Sequence, residues 1–167
     1  KVRRAQEQVL RSRPFGDRLS RILENLQSRM RFEEADAPLM EQRTVETITL
    51  VAITGDRGLC GGYNANIIKR TEQRFAELKG KGFNVKLVVI GSKAISYFTN
   101  RDYPIQAKIT GLEQVPTADE ANTIATDMLA EFMAAGTDRV EMVFTKFINL
   151  VSCKPVLQTL LPLDPQD

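Results

Sequence analysis

The fold is decided by one stretch, Thr47-Ile-Thr-Leu-Val-Ala-Ile-Thr54 followed by Gly55-Asp-Arg-Gly-Leu-Cys-Gly-Gly62. The first half is a β-branched, largely apolar run, which predicts a buried strand over 47–54. The glycines after it predict a tight loop, and the apolar spacing from Asn64 to Lys79 predicts a helix that Gly80 ends. Strand, loop and helix in this order are typical of an α/β fold.

Strand and helix patterns continue to alternate after this unit. The later predicted elements are a strand over Val85–Ile90, a short helix from the Gly91-Ser92 turn and cap to Phe98, a strand over Tyr103–Thr110, a helix from the Thr117/Glu120 capping box to Ala135 with Gly136 past its end, and strands over Arg139–Phe147 and Pro155–Leu163. The link over 148–154 is too short for a helical crossover, so the last two strands should pair antiparallel, with Pro155 at the sheet edge. We therefore predict a Rossmann-like three-layer α/β domain over 44–167, with a mostly parallel sheet and an antiparallel edge strand.

A long amphipathic helix and its connector are predicted ahead of this domain, over 1–43. Its first 32 residues hold nine basic side chains against three acidic ones. Pro14 predicts a kink or a break in this helix, and Lys1 follows no capping residue, so we expect the chain to begin inside a longer helix. Apolar residues at helical spacing form a narrow stripe that includes Leu19, Ile22, Leu23, Leu26 and Met30.

The composition excludes several classes of enzyme. The 167 residues include no histidine, which rules out Ser/His/Asp and Cys/His catalysis and His-ligated metal sites within this sequence. Cys60 and Cys153 lie far apart and indicate neither a disulfide framework nor a zinc site. No apolar run is long enough to span a membrane, and the charged first segment is unlike a signal peptide. We expect no catalytic residue, no cofactor, no metal and no direct membrane insertion.

The glycine-rich loop leaves three readings open. It follows the first strand, where α/β folds bind ligands, so a phosphate site is physically possible. However, its spacing fits neither GxGxxG nor GxxxxGK[ST]. A thiol enzyme built on Cys60 would lack a histidine base. The third reading is an exposed contact loop, with Asp56 and Arg57 at its tip and Leu59 and Cys60 packed underneath.

The Arg-rich helix also has competing readings. Nucleic-acid binding normally needs base-reading or stacking groups, yet Phe15 and Phe32 are its only aromatic residues and the net charge of the chain is only +2. A membrane-surface helix would show a larger apolar face. One strand of a coiled coil accounts for the narrow stripe and charged flanks, while a solvated helix packed on its own domain remains the plain alternative.

At this point several stretches resemble one known family. Thr54-Gly-Asp-Arg-Gly-Leu-Cys-Gly-Gly-Tyr-Asn64 is similar to the signature loop of the gamma subunit of rotary, F-type ATP synthases, in a cyanobacterial or chloroplast-like version. The other matching stretches occur in family order over the whole chain: Lys1-Val-Arg-Arg-Ala-Gln6, Arg13-Pro-Phe15, Ile90-Gly-Ser-Lys93, Arg101-Asp-Tyr-Pro104, Thr145-Lys-Phe-Ile-Asn149 and Gln158-Thr-Leu-Leu-Pro-Leu163.

The resemblance implies a central-stalk rotor without an active site of its own. In that family two terminal helices form an antiparallel coiled coil, which couples proton-driven rotation of the membrane c-ring to ATP synthesis in the head of alpha and beta subunits. The epsilon subunit docks on the α/β domain. The implied location is peripheral, on the cytoplasmic or stromal face of the thylakoid or plasma membrane, and no nucleic-acid partner is expected. A nucleotide-binding α/β protein that uses Gly55 to Gly62 remains the alternative function.

The resemblance also implies two groups of site residues. The first would contact the base of a beta subunit, with Arg57 placed for a salt bridge to a carboxylate, and consists of Asp56, Arg57, Gly58, Leu59 and Cys60. The second would lie in the shaft helix near the bearing and consists of Arg3, Arg4, Arg11, Leu19, Ile22 and Leu26. The family's C-terminal helix does not follow Pro165-Gln166-Asp167, so we expect this chain to be a truncated form.

Overall fold

Five β-strands form one sheet in the computed structural model, which describes residues 3, 43–55, 62–110, 118–149 and 152–162. The strand order is β3-β2-β1-β4-β5. The strands are β1 (Thr47–Ile53), β2 (Asn84–Ile90), β3 (Ile105–Ile109), β4 (Arg139–Asn149) and β5 (Ser152–Leu161). Only β4 and β5 pair antiparallel, while β1 pairs parallel with β2 and β4, and β2 pairs parallel with β3. The predicted mostly parallel sheet with an antiparallel edge strand is confirmed.

Helices cover both faces of the sheet, which confirms the three-layer arrangement. They are α1 (Tyr63–Gly80), α2 (Ser92–Thr99) and α3 (Ala118–Met133). Ile67 of α1 and Phe98 of α2 pack with Leu50 and Leu87 in one buried cluster. Alternate strand residues point the other way, and a second cluster joins them to Ile124, Met128 and Phe132 of α3. Each strand residue of the core therefore faces a helix, as the near-continuous apolar runs predicted.

The hairpin of β4 and β5 is tighter than the sequence indicated. The prediction ended the first strand at Phe147 and began the second at Pro155, but pairing continues to Asn149 opposite Ser152. The predicted seven-residue link is therefore wrong in length, although the antiparallel pairing is right.

Three predicted helix signals need correction. Helix α1 does end at Gly80, but the left-handed residue is Gly82, with φ of 88°. At the end of α3 that place is taken by Ala135, with φ of 55°, and Gly136 follows it. There the Gly136 amide donates to the Glu131 carbonyl at 2.9 Å and the Ala135 amide to Phe132 at 3.2 Å, a Schellman ending that tolerates alanine at its left-handed position.

The third correction concerns the start of α2. Gly91, rather than Ser92, occupies the N-cap position, and no side chain at the cap itself bonds to the helix. The Thr117/Glu120 capping box lies partly outside the described residues, since the described part of α3 begins at Ala118. So does most of the long N-terminal helix, of which Arg3 alone is described, as helical and exposed. The division into 1–43 and 44–167 stays a prediction.

Candidate functional site at the carboxyl edge of the sheet

The loop that follows β1 leaves the carboxyl edge of the parallel strands. Strands β1, β2 and β3 end there at Ile53, Ile90 and Ile109. The structure describes Gly55 before the loop and Gly62 after it, whereas residues 56–61 lie outside the described part. The predicted contact residues Asp56, Arg57, Gly58, Leu59 and Cys60 are therefore not placed, and their role stays a prediction.

The base of this loop is closed by a hydrogen bond between its two ends. The Gly55 amide donates to Oδ1 of Asn64, in the first turn of α1, at 3.0 Å. The Gly62 carbonyl accepts from the Asn66 amide at 2.8 Å and so begins the helix. A direct hydrogen bond therefore holds together the two described ends of the loop. Sequence reasoning missed Asn64, although an asparagine beside a glycine turn is a recognisable signal.

The gap between the ends of β1 and β2 is filled by Thr54. Its hydroxyl donates to the Ile90 carbonyl at 3.0 Å and accepts from the Ala94 amide at 3.1 Å. Thr54 thereby caps α2 from another element, which explains why Ser92 is not needed as the cap. Gly91 packs closely against the Thr54 carbonyl. A Cβ at position 91 would lie 2.2 Å from that oxygen, so a side chain does not fit there.

This packing bears on the nucleotide-binding reading. Anion sites use unpaired amides at a helix N-terminus, often beside a glycine loop. Here the Ala94 amide of α2 donates to the Thr54 hydroxyl, and the Gly55 amide before the loop donates to the Asn64 side chain. Among the described residues no group of three or more His, Cys, Asp or Glu side chains could hold a metal ion. At the described part of this edge, these two amides are therefore bonded within the domain and are not free to bind an anion.

Helix α1, which carries the loop, is fixed to the sheet by a buried ion pair. The side chain of Glu141 in β4 is 2% exposed, and Arg74 donates to its two oxygens at 2.8 Å each. The hydrogen bond to Glu141, against the opposing effect of burial, raises the pKa of Arg74 above its ordinary value, with Glu77 adding to it. Sequence reasoning missed this pair, although a glutamate inside an apolar strand signals a buried cationic partner.

Comparison with known proteins shows the family to which the chain belongs. The sequence model of the ATP synthase family matches residues 1–167, the whole chain. The chain belongs to the ATP synthase gamma-chain family. It is 99% identical over 167 residues to the ATP synthase gamma chain of Synechococcus sp. (strain CC9902) and 85% identical to that of Parasynechococcus marenigrum (strain WH8102). In both comparisons the match covers 100% of this chain and 53% of the relative, so the chain spans about half the length of these gamma chains.

Solved structures agree on the fold. The chain is similar to one from the central stalk and c-ring structure of Tetrahymena thermophila mitochondrial ATP synthase, with a TM-score of 0.62 and 24% identity over 97% of this chain and 73% of that one. A chain of the Euglena gracilis mitochondrial ATP synthase gives a TM-score of 0.54 at 17% identity, over 96% of this chain and 55% of that one. At these identities the likeness concerns the fold alone.

Proposed function

We propose that this chain is part of the central-stalk rotor of an F-type ATP synthase, where it couples rotation of the membrane ring to ATP synthesis in the head. The observation that carries the proposal is the family match over all 167 residues, together with gamma-chain relatives of up to 99% identity among those compared. Its role is mechanical, and the chain itself performs no catalytic step. The absence of histidine from the sequence supports this, since it removes the commonest acid–base group.

The loop over 56–61 would make the contact with the head. The hydrogen bond between Gly55 and Asn64 joins the two ends of this loop, and the ion pair of Arg74 with Glu141 holds the following helix against the sheet. Asp56, Arg57, Gly58, Leu59 and Cys60 would face the base of a beta subunit. Arg57 would form a salt bridge with a carboxylate there, because a guanidinium offers a bidentate fit to that group.

The remaining partners follow from the same role. Arg3, Arg4, Arg11, Leu19, Ile22 and Leu26 would lie on a shaft helix inside the ring of alpha and beta subunits, while the epsilon subunit docks on the α/β domain and the c-ring meets the foot of the stalk. In the part of the chain that the structure describes, no helix is long and apolar enough to cross a membrane. We place the assembled subunit at the cytoplasmic or stromal face of a thylakoid or plasma membrane.

Replacing Arg57 with alanine tests the contact loop. In a full-length gamma chain that carries this sequence, Arg57→Ala should lower ATP synthesis by the reconstituted enzyme severalfold, because one charge-assisted contact to the head is lost. Lys81→Ala is the matched control, since Lys81 is an exposed cation in a turn at the opposite edge of the sheet. Unchanged synthesis in the Arg57 variant, with the domain folded, would remove the role given to that residue.

Nucleotide binding by Gly55 to Gly62 is the second candidate, and its position after β1 of a 3-2-1-4-5 sheet favours it. Calorimetry with ATP, ADP and Mg²⁺ separates the two functions. We expect no saturable binding to the isolated chain. Micromolar binding that the substitution of Asn64 abolishes would favour the nucleotide site instead.

A further inference from the structure

Arg43 lies where the chain enters the α/β domain, four residues before β1. Its guanidinium reaches the end of α3, where Nη2 donates to the Phe132 carbonyl at 2.6 Å. The same group lies over the Phe132 ring, with Cζ 4.1 Å from the ring centroid. Both contacts suit a cation, because the carbonyl end of a helix carries partial negative charge and the face of an aromatic ring attracts positive charge.

Asp138 holds the same point of the chain from the turn between α3 and β4. Its Oδ2 accepts from the amides of Glu46 at 3.0 Å and Thr47 at 2.9 Å. Its own amide donates to the Thr47 carbonyl at 2.8 Å, and Oδ1 lies 3.9 Å from Nε of Arg43. Burial opposes ionisation, but the two amides and the charge of Arg43 outweigh it and keep the pKa of Asp138 below its ordinary value.

These contacts restrain the connection through side chains as well as through the backbone. A hinge needs a few residues with free backbone torsions. Here Arg43 is held through its side chain, while Glu46 and Thr47 are held through their amides, all by residues about 90 positions later in the sequence. The ending of α3 is itself fixed by the Schellman hydrogen bonds around Ala135. The segment can therefore neither swing nor twist easily against the sheet.

We propose that Arg43, Phe132 and Asp138, the junction cluster, form a rigid mount that sets the direction in which the residues before Arg43 leave the α/β domain. This inference rests on the proposed function, in which residues 1–43 include the shaft helix and the α/β domain must turn with it. Arg43 is then a positioning residue of the rotor. A flexible connection at this point would let the shaft turn or bend without moving the domain.

The orientation of the shaft relative to the domain tests the mount directly. In a full-length gamma chain with its native cysteines, including Cys60 and Cys153, replaced by serine, spin labels at Ser28→Cys and Lys81→Cys report one distance across the junction. Pulsed electron paramagnetic resonance should give a narrow distribution of the distance between the two labels when Arg43 is present. Adding Arg43→Met should roughly double its width, because the hydrogen bond, the ion pair and the cationic contact with Phe132 are all lost.

Arg70→Met is the matched control. Arg70 is also partly buried, with a 31% exposed side chain paired to Glu77 at 3.6 Å, but it lies on α1 away from the junction. Arg70→Met should leave the width of the spin-label distance distribution unchanged. If Arg43→Met fails to fold, Arg43→Lys, which keeps the charge but not the forked geometry, should give an intermediate width. A distribution as narrow in the folded Arg43 variants as in the parent, or one already broad in the parent, would overturn the proposal.

The test separates the mount from the proposed function. The width of the distribution does not depend on catalysis, whereas ATP synthesis by the reconstituted parent enzyme does. Active parent enzyme with no effect at Arg43 would refute the mount alone. Inactive enzyme with an otherwise intact assembly would refute the rotor function, whatever the distances show.

Discussion

At the scale of single residues, Gly91 is a described position at the carboxyl edge of the sheet that has no room for a side chain. Its φ is 97°, and a Cβ would lie 2.2 Å from the Thr54 carbonyl, which is backbone and cannot rotate away. The adjoining Thr54 hydroxyl bonds to both Ile90 and Ala94. A side chain at 91 would thus disturb the strand end before the loop and the cap of α2 together.

Gly91→Ala should therefore lower the free energy of unfolding by about 2–4 kcal/mol, through backbone strain and the clash with Thr54. Gly80→Ala is the control, since nothing lies within 4 Å of a Cβ there. Alanine is the better helix former, so that variant should be neutral or up to about 1 kcal/mol more stable. Urea unfolding followed by circular dichroism measures both, and equal midpoints would contradict the assignment of strain to Gly91.

At the scale of elements, α1 follows the loop after β1 and is joined to β4 of the sheet. Arg74 and Glu141 connect the fourth turn of this helix to β4, and the side chain of Glu141 is only 2% exposed. Buried ion pairs are often no more stabilising than well-packed apolar residues, but breaking one by removing a single partner is costly. The ion pair therefore fixes the position of α1 on the sheet and need not add net stability to the fold.

Arg74→Met alone should destabilise the protein by about 3 kcal/mol, because the buried Glu141 side chain loses its two-fold hydrogen-bonded partner, and among the described cations only Arg139, at 3.7 Å, remains close to it. The double variant Arg74→Met/Glu141→Leu should recover to within about 1 kcal/mol of the parent. Arg70→Met, which breaks a more exposed pair with Glu77, should cost less than about 1 kcal/mol. Chemical denaturation of the three variants checks this, and a double variant as weak as the single one would be the contrary result.

The order of the elements could be read from the sequence, whereas the contacts between them could not. Buried strands such as 47–53 are largely apolar, and inward helix positions such as Ile67 and Phe132 repeat at helical spacing, so local pattern is enough. The ion pair of Arg74 with Glu141 and the contact of Arg43 with Phe132 join residues far apart in sequence, and pattern carries no such pairing. The predicted cap at the start of α2 was wrong because Thr54, 40 residues away, bonds to the Ala94 amide there.

At the scale of the whole molecule, Gly55, where the described chain enters the loop, and the junction cluster lie at opposite ends of β1. The loop follows β1 at its carboxyl end, while Arg43 and Asp138 hold the amino end of the same strand. Strand β1 is central and buried, paired with β2 and β4. Force applied at the loop would therefore pass along one fully paired strand to the proposed shaft.

Rotation of the domain during ATP hydrolysis tests the central claim most directly. In an enzyme reconstituted with a full-length gamma chain of this sequence, a bead would be attached at Lys81→Cys, on an exposed turn at the edge away from the loop, with the alpha and beta subunits fixed to a surface. The account predicts that the bead turns persistently in one direction when ATP is added. Hydrolysis at the normal rate beneath a stationary bead would contradict it.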